Sequence, residues 1–208
     1  MRSIIIAAGI LLVAVAFLLT ITGRTKLPEN GRAPVVSAET ASNSEASSET
    51  AAPDTRRDVL IPARSAPRAP ALAEGSWVNS EPLTIEGLRG RVVIVDFWTY
   101  GCYNCRNTLP ALKGWDAAYR DKGLTIIGVH TPEFDREKEL DTVREQVRSL
   151  GIRYAVVTDN DNQSWNAYGI QAWPTVVILD KQGRIRWTHI GEGMYDEQER
   201  VIQKLLAE

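Results

Sequence analysis

Cysteine and histidine are scarce in this chain of 208 residues, with two of each, and methionine is equally rare. A tetrahedral zinc site needs two further Cys or His ligands at matching spacing beside a first pair, and only His130 and His189 remain, neither in a ligand-type cluster. No metal site is therefore expected. An excess of one charge is lacking too: 24 Lys and Arg face 26 Asp and Glu, for a formal net charge of −2. No Lys/Arg run interleaved with aromatics occurs in the C-terminal segment, which argues against a nucleic-acid partner. There is no internal repeat, and from about Leu27 to Leu72 aromatic and periodic apolar residues almost vanish.

Composition divides the chain into three parts. Residues 1–26 contain an apolar run, Ile4–Ile21, with Thr20 its one clearly polar residue. At about 1.5 Å per residue it crosses most of a bilayer core, as a transmembrane anchor or a signal peptide. The run is longer than an ordinary signal h-region and is followed by Thr-Ile-Thr-Gly-Arg rather than a small-x-small site, which favours the anchor. No cysteine follows it, so a lipid-anchored lipoprotein is excluded. Residues 27–72, rich in Ala, Ser, Pro, Glu and Thr, read as a disordered linker spanning roughly 40 Å as a flexible coil. Residues 73–208 are long enough to bury one core.

Charge counting does not support an N-in arrangement, since Arg2 precedes the apolar run while Arg24, Lys26 and Arg32 follow it; the cysteine chemistry overrides that count. A lone reactive cysteine pair behind an anchor makes best sense in an oxidising compartment. The expected location is thus the bacterial inner (cytoplasmic) membrane, with the catalytic domain in the periplasm or extracytoplasmic space.

The two cysteines stand as Cys102-Tyr-Asn-Cys105, after the β-branched run Arg91–Trp98 and before apolar positions Leu109, Leu112, Trp115 and Tyr119 at helical spacing. Thiols on the first turn of a helix lie near unpaired N–H groups and the positive end of the helix dipole, which favour the nucleophilic thiolate. A structural disulfide across so short a loop would hardly constrain the unfolded chain. Redox chemistry is the reading that remains, with the pair itself as redox-active disulfide and no separate cofactor. Cys102, the more exposed sulfur, is expected to attack a partner's disulfide, and Cys105 to resolve the mixed disulfide.

Strands are expected at Arg91–Trp98, Leu124–His130, Tyr154–Thr158, Thr175–Asp180 and Arg184–Ile190. Helices fall at Asn104–Arg120, Asp135–Leu150, Gln163–Tyr168 and Asp196–Leu206. The alternation implies an α/β domain with parallel pairing, and the Lys181-Gln-Gly183 turn adds a hairpin, so the central sheet should be mixed and flanked by helices. Trp77–Leu88, with Leu83 and Ile85 alternating, is expected to add a short N-terminal hairpin.

Val95-Asp-Phe-Trp-Thr-Tyr-Gly-Cys-Tyr-Asn-Cys105 followed by Pro110, and Trp173-Pro174-Thr175 further on, resemble the thioredoxin superfamily. Ser76-Trp77, Pro82-Leu83, Leu88-Arg-Gly90 and an insertion containing Gly128-Val-His-Thr-Pro-Glu133 resemble its membrane-anchored TlpA/ResA-type members. Asp-Phe-Trp-Thr-Tyr-x-Cys-x-Asn-Cys with His-Thr-Pro-Glu and Gly191-Glu-Gly193-x-Tyr195 is similar to the thioredoxin-like domain of DipZ-type proteins. Those carry a multi-helix membrane domain, whereas this chain shows a single apolar run. The resemblance implies a thioredoxin-like fold with an inserted helix and an extracytoplasmic thiol-disulfide oxidoreductase that reduces protein disulfides. Apocytochrome c thiols are one target it suggests. Its partners would be protein thiols and disulfides, and a membrane electron transporter of the CcdA/DsbD type that recharges it.

Asp96 interrupts an apolar strand, so burial should raise its pKa and let it exchange a proton; the superfamily places such an acid beneath the second cysteine. Glu133 follows a strand end, where the resemblance implies a part in proton transfer, although a glutamate after proline at a helix start is also ordinary N-terminal chemistry. Pro174 is expected to be cis by resemblance, and Trp98, Trp173, Pro174 and Thr175 to form the substrate-binding surface. Trp115, Trp165 and Trp187 are expected in the core. Thiol peroxidase, from Thr99-x-x-Cys102, and a copper-handling module are the alternatives.

Overall fold

Strand β2 (Val92–Trp98) is buried at every position, as a β-branched run covered on both faces requires. The computed structural model describes residues 60–208; the Ile4–Ile21 run and most of the expected linker lie outside the described residues. β2 sits at the centre of a six-stranded sheet. Its companions are β1 (Trp77–Val78), β3 (Leu124–His130), β4 (Ala155–Thr158), β5 (Thr175–Leu179) and β6 (Ile185–Ile190), in the order β1-β4-β3-β2-β5-β6. β3 runs parallel to β2 and β4, while β1, β5 and β6 are antiparallel to their neighbours, giving the expected mixed sheet.

The alternation along β2 sorts its side chains onto two faces. Val92, Ile94 and Trp98 pack with Cys105, Leu109, Leu112 and Trp115 of helix α1 (Tyr103–Tyr119). The same layer takes Val143 and Val147 from α2 (Leu140–Ser149) and Ile202 and Leu205 from α4 (Tyr195–Ala207). On the other face Val93, Val95 and Phe97 pack with Ile127, Val177 and Ile85. Trp165 of α3 (Gln163–Ala167) and Tyr168 close that side around the Phe97 ring.

Three expectations are corrected. The N-terminal hairpin does not form: Trp77–Val78 pairs with β4 instead. Asn79, at φ 67°, donates to the carbonyls of Ile152 and Tyr154 and turns the chain toward that edge, while residues 85–90 form turns. The helix expected over 135–150 is broken, with a 3-10 turn at Asp135–Lys138, an extended Glu139 (φ −71°, ψ 113°), and α2 only from Leu140.

The linker was expected to reach residue 72, yet residues 60–72 are packed. Ile61 N–H donates to Arg186 O (2.8 Å), Ile185 N–H to Pro67 O (2.8 Å) and Ala69 N–H to Gly183 O (2.9 Å). Ordering here comes from the backbone of β6. The Arg186 guanidinium adds bonds to Ile61 O, Asp180 and Glu208.

Candidate active site

β2 ends at Trp98, and Thr99–Gly101 carry the chain into α1. Cys102 is the N-cap residue, extended at φ −75° and ψ 118°, and its sulfur accepts the Cys105 N–H at 3.1 Å. The two sulfurs form a disulfide with Cα atoms 5.3 Å apart. Cys102 is half-buried, and Cys105 is 1% exposed. The first turn of α1 has no acidic side chain, so on the helix itself nothing opposes the pull of the free N–H groups on a Cys102 thiolate.

Asp96 shares the face of β2 that α1 and Cys105 cover. It is 1% exposed, its Oδ1 has no hydrogen-bond partner, and burial pushes its pKa up to about 7. A carboxyl poised near neutrality is thus built into the strand beneath the helix that carries Cys105.

The loop before β5 forms the other wall. Thr175 pairs with Phe97, and Gly191 N–H donates to Pro174 O at 2.8 Å, so the loop is pinned beside the end of β2. The Trp173–Pro174 bond is cis. Trp173 is half-buried and lies against Trp165, with ring centroids 4.4 Å apart. Tyr103 at the start of α1, Ile190 at the end of β6 and Met194 just before α4 are exposed apolar side chains that sequence patterning did not single out.

Three expected surface residues, Trp98, Pro174 and Thr175, are not on the surface. Trp98 is 1% exposed: its indole Nε1 lies 2.8 Å from where a Cβ on Gly128 would stand, so the ring fills the space that glycine leaves in β3. Thr175 is likewise buried, and its hydroxyl donates to Ala172 O at 2.7 Å, bracing the Pro174 loop.

Glu133 is exposed, while Glu137, four residues on, is fully buried. Glu137 Oε2 accepts the Thr99 hydroxyl at 2.6 Å and the Glu133 N–H at 2.9 Å. His130 Nε2 lies 3.3 Å from the same hydroxyl, and Tyr100 stacks on the His130 ring. Burial pushes the His130 pKa down to about 4 although the Glu137 charge pulls it up. This cluster sits under the loop that leads into Cys102. Thr99, the basis of the peroxidase alternative, has its hydroxyl committed to Glu137.

Residues 90–185 match a family model described as thioredoxin-like. The described residues have the thioredoxin-like fold. The thioredoxin-like domain is 40% identical over 133 residues to the protein DipZ of Mycobacterium tuberculosis, covering 62% of this chain and 19% of that protein. The chain thus spans about a fifth of the length of its DipZ relatives. It is 25% identical over 136 residues to the thiol-disulfide oxidoreductase YkuV of Bacillus subtilis, covering 65% of this chain and 90% of that one. Among solved structures, the thioredoxin-like superfamily protein SPOA0173 superposes with a TM-score of 0.65 at 25% identity, over 69% of this chain and 98% of that one.

Among the described residues, no group of three or more His, Cys, Asp or Glu side chains is arranged to hold a metal ion. What the thioredoxin-like domain offers chemically is a two-electron thiol–disulfide exchange beside a buried acid.

Proposed function

We propose that the domain is a thiol-disulfide oxidoreductase that reduces disulfides in other proteins. The observation that carries this reading is the asymmetry of the sulfurs: Cys102 caps a helix and is partly accessible, while Cys105 is sealed in the α1 layer that also buries Asp96. In the reduced protein the Cys102 thiolate attacks one sulfur of a substrate disulfide, forming a mixed disulfide and expelling the other sulfur as a thiolate. Cys105 then gives its proton to Asp96 and attacks Cys102 Sγ, so the second substrate sulfur leaves. Asp96 returns its proton to the second substrate thiolate and the first takes one from solvent, so the substrate gains two electrons and two protons and Cys102–Cys105 ends as the disulfide.

The exposed apolar Tyr103, Ile190 and Met194 and the half-buried Trp173 suit an apolar polypeptide segment more than a small polar thiol. The apolar Ile4–Ile21 run supports tethering to the bacterial inner membrane with the domain on the extracytoplasmic side; among the described residues no helix is long and apolar enough to cross a membrane. In that setting a CcdA/DsbD-type electron transporter recharges the disulfide, and apocytochrome c is a fitting substrate class. These points rest on the family resemblance.

Equilibration with a glutathione or dithiothreitol series tests the direction of transfer. The expected potential is nearer the thioredoxin end, about −270 mV, than the oxidant end, about −120 mV. A value at the oxidant end makes the protein a disulfide donor. Labelling of the reduced cysteines in intact spheroplasts by a membrane-impermeant thiol reagent tests the placement, and protection until lysis refutes it.

A further inference from the structure

Glu137 lies on the 3-10 turn Asp135–Lys138, between the exposed Arg136 and Lys138, yet it is completely buried. One of its oxygens, Oε2, is held by Thr99 and the Glu133 N–H. The other, Oε1, is buried without a hydrogen-bond partner among the described residues. It rests against Gly101, where an added Cβ would overlap it. The carboxylate therefore occupies the volume that a side chain at position 101 would take, one residue before Cys102. An unpaired buried carboxylate oxygen costs about 1–3 kcal/mol or more in desolvation, so the fold gains nothing in stability by aiming it there.

The titratable and charged groups around this pocket and the cysteine pair come from five elements. His130 from β3 is neutral at pH 7, because burial has lowered its pKa to about 4. Tyr100 from the loop is neutral too: burial, and then the Glu137 charge, raise its pKa above the ordinary value while Arg136 opposes them. Arg136, on the turn itself, lies over the exposed Phe134 ring, 4.5 Å from its centroid. Asp96 lies on β2 on the face that α1 covers, and Arg106 and the peptide N–H groups of the first turn belong to α1. Glu192 accepts from the Asn107 amide of α1.

We propose that Glu137 is a positioning residue of the redox site that sets the acidity of Cys102. Through Thr99 it fixes the loop entering α1, and its charge, beside the Gly101 backbone, opposes ionisation of the Cys102 thiol. The helix terminus pulls toward thiolate and Glu137 pulls back, which keeps the couple reducing. This inference rests on the reading of Cys102 as the attacking sulfur.

The test is the pH dependence of alkylation of the reduced protein by iodoacetamide, with the modified site located by mass spectrometry, in the wild type and in Glu137→Gln. The Gln variant is expected to lower the Cys102 pKa by about one unit, a tenfold rise in thiolate fraction below the pKa. Above the pKa the dithiol form is then favoured over the disulfide by the same tenfold, about 30 mV for the two-electron couple. An unchanged Cys102 pKa in a folded Glu137→Gln protein overturns the proposal. Preferential alkylation of Cys105 overturns instead the assignment of the attacking sulfur.

A wild-type measurement covers the case in which the variant does not fold. Coupling is reciprocal, so the carbon-13 carboxyl resonance of Glu137 in the reduced protein must move along the Cys102 titration curve. A resonance indifferent to Cys102 ionisation overturns the proposal equally.

Discussion

Asp96 stands directly across from Gly128 in the β2–β3 register, so the carboxyl is flanked by a position with no side chain. That space is filled by the Trp98 indole and the Tyr154 ring. Neither donates to Asp96 Oδ1. An apolar-walled carboxyl of this kind is expelled from its charged form, and Tyr154 is affected in return: burial, then the charges of Asp96 and Asp116, hold its pKa well above the ordinary value.

The first prediction concerns stability against pH. The Asp96 pKa rises from 3.8 to about 7 on folding, so in that interval the folded state binds more protons than the unfolded one. Stability from this group falls as pH rises from about 4 to about 7 and stays low above it. At 1.36 kcal/mol per pH unit the full effect is about 4 kcal/mol. Urea unfolding of Asp96→Asn at pH 8 should show a gain of a few kcal/mol over wild type, shrinking to nothing near pH 4. A gain that does not depend on pH rules the argument out.

His130 works in the opposite sense. Its pKa falls from 6.5 to about 4 on folding, because burial disfavours the imidazolium. Here the unfolded state binds more protons, so stability is lost as pH falls from 6.5 toward 4, by about 3 kcal/mol in full. The two slopes nearly cancel in the wild type across this window. Asp96→Asn should therefore lose stability toward acid, and His130→Gln should lose it toward neutrality, each measured by unfolding midpoints between pH 4 and 7. Parallel curves for the two variants would be incompatible with this balance.

For the sulfurs, Cys105→Ser should accumulate mixed disulfides with substrate proteins, whereas Cys102→Ser should trap none and lose all disulfide-reducing activity. Non-reducing gels followed by sequencing of the trapped chains check this. The reverse pattern exchanges the two roles.

Gly128→Ala tests the seat of Trp98. The new methyl would lie 2.8 Å from Trp98 Nε1 and 3.3 Å from Tyr154, an overpacking that should cost about 1–3 kcal/mol. The Trp98 fluorescence of the oxidised protein should shift with it. Unchanged stability would mean that the indole has room to move.

The strands and main helices were legible because their burial follows period 2 and period 3.6 along contiguous residues, as in β3, which occupies Leu124–His130 as expected. Asp96 was legible as well, since a lone charge inside an apolar run has few explanations. Glu137 was not. It lies in Asp-Arg-Glu-Lys-Glu, where neighbours of the same character are exposed, and only the path of the turn carries it inward. The one clue in the sequence was indirect: the apolar spacing of α2, Val143 and Val147, begins too late to support a helix from Asp135. Trp98 was misread because its burial depends on the absence of a side chain at Gly128, on another strand. Residues 60–72 carry no periodicity, since they are ordered chiefly through backbone bonds to β6.

Those bonds also bear on self-association. A sheet with a bare outer strand is a template for a second copy, and this one is guarded at both margins. On one side the last strand is only Trp77–Val78; on the other, Ile61, Pro67 and Ala69 occupy backbone groups along the outer edge of β6 and its turn. A fragment trimmed to begin at Ala73 would keep the cysteines, Asp96 and Glu137 but leave β6 uncovered. The thirteen residues from 60 to 72 are thus a cover against edge-to-edge stacking, and removing them should promote pairing of the domain with itself, read as a rise in apparent mass on size-exclusion chromatography.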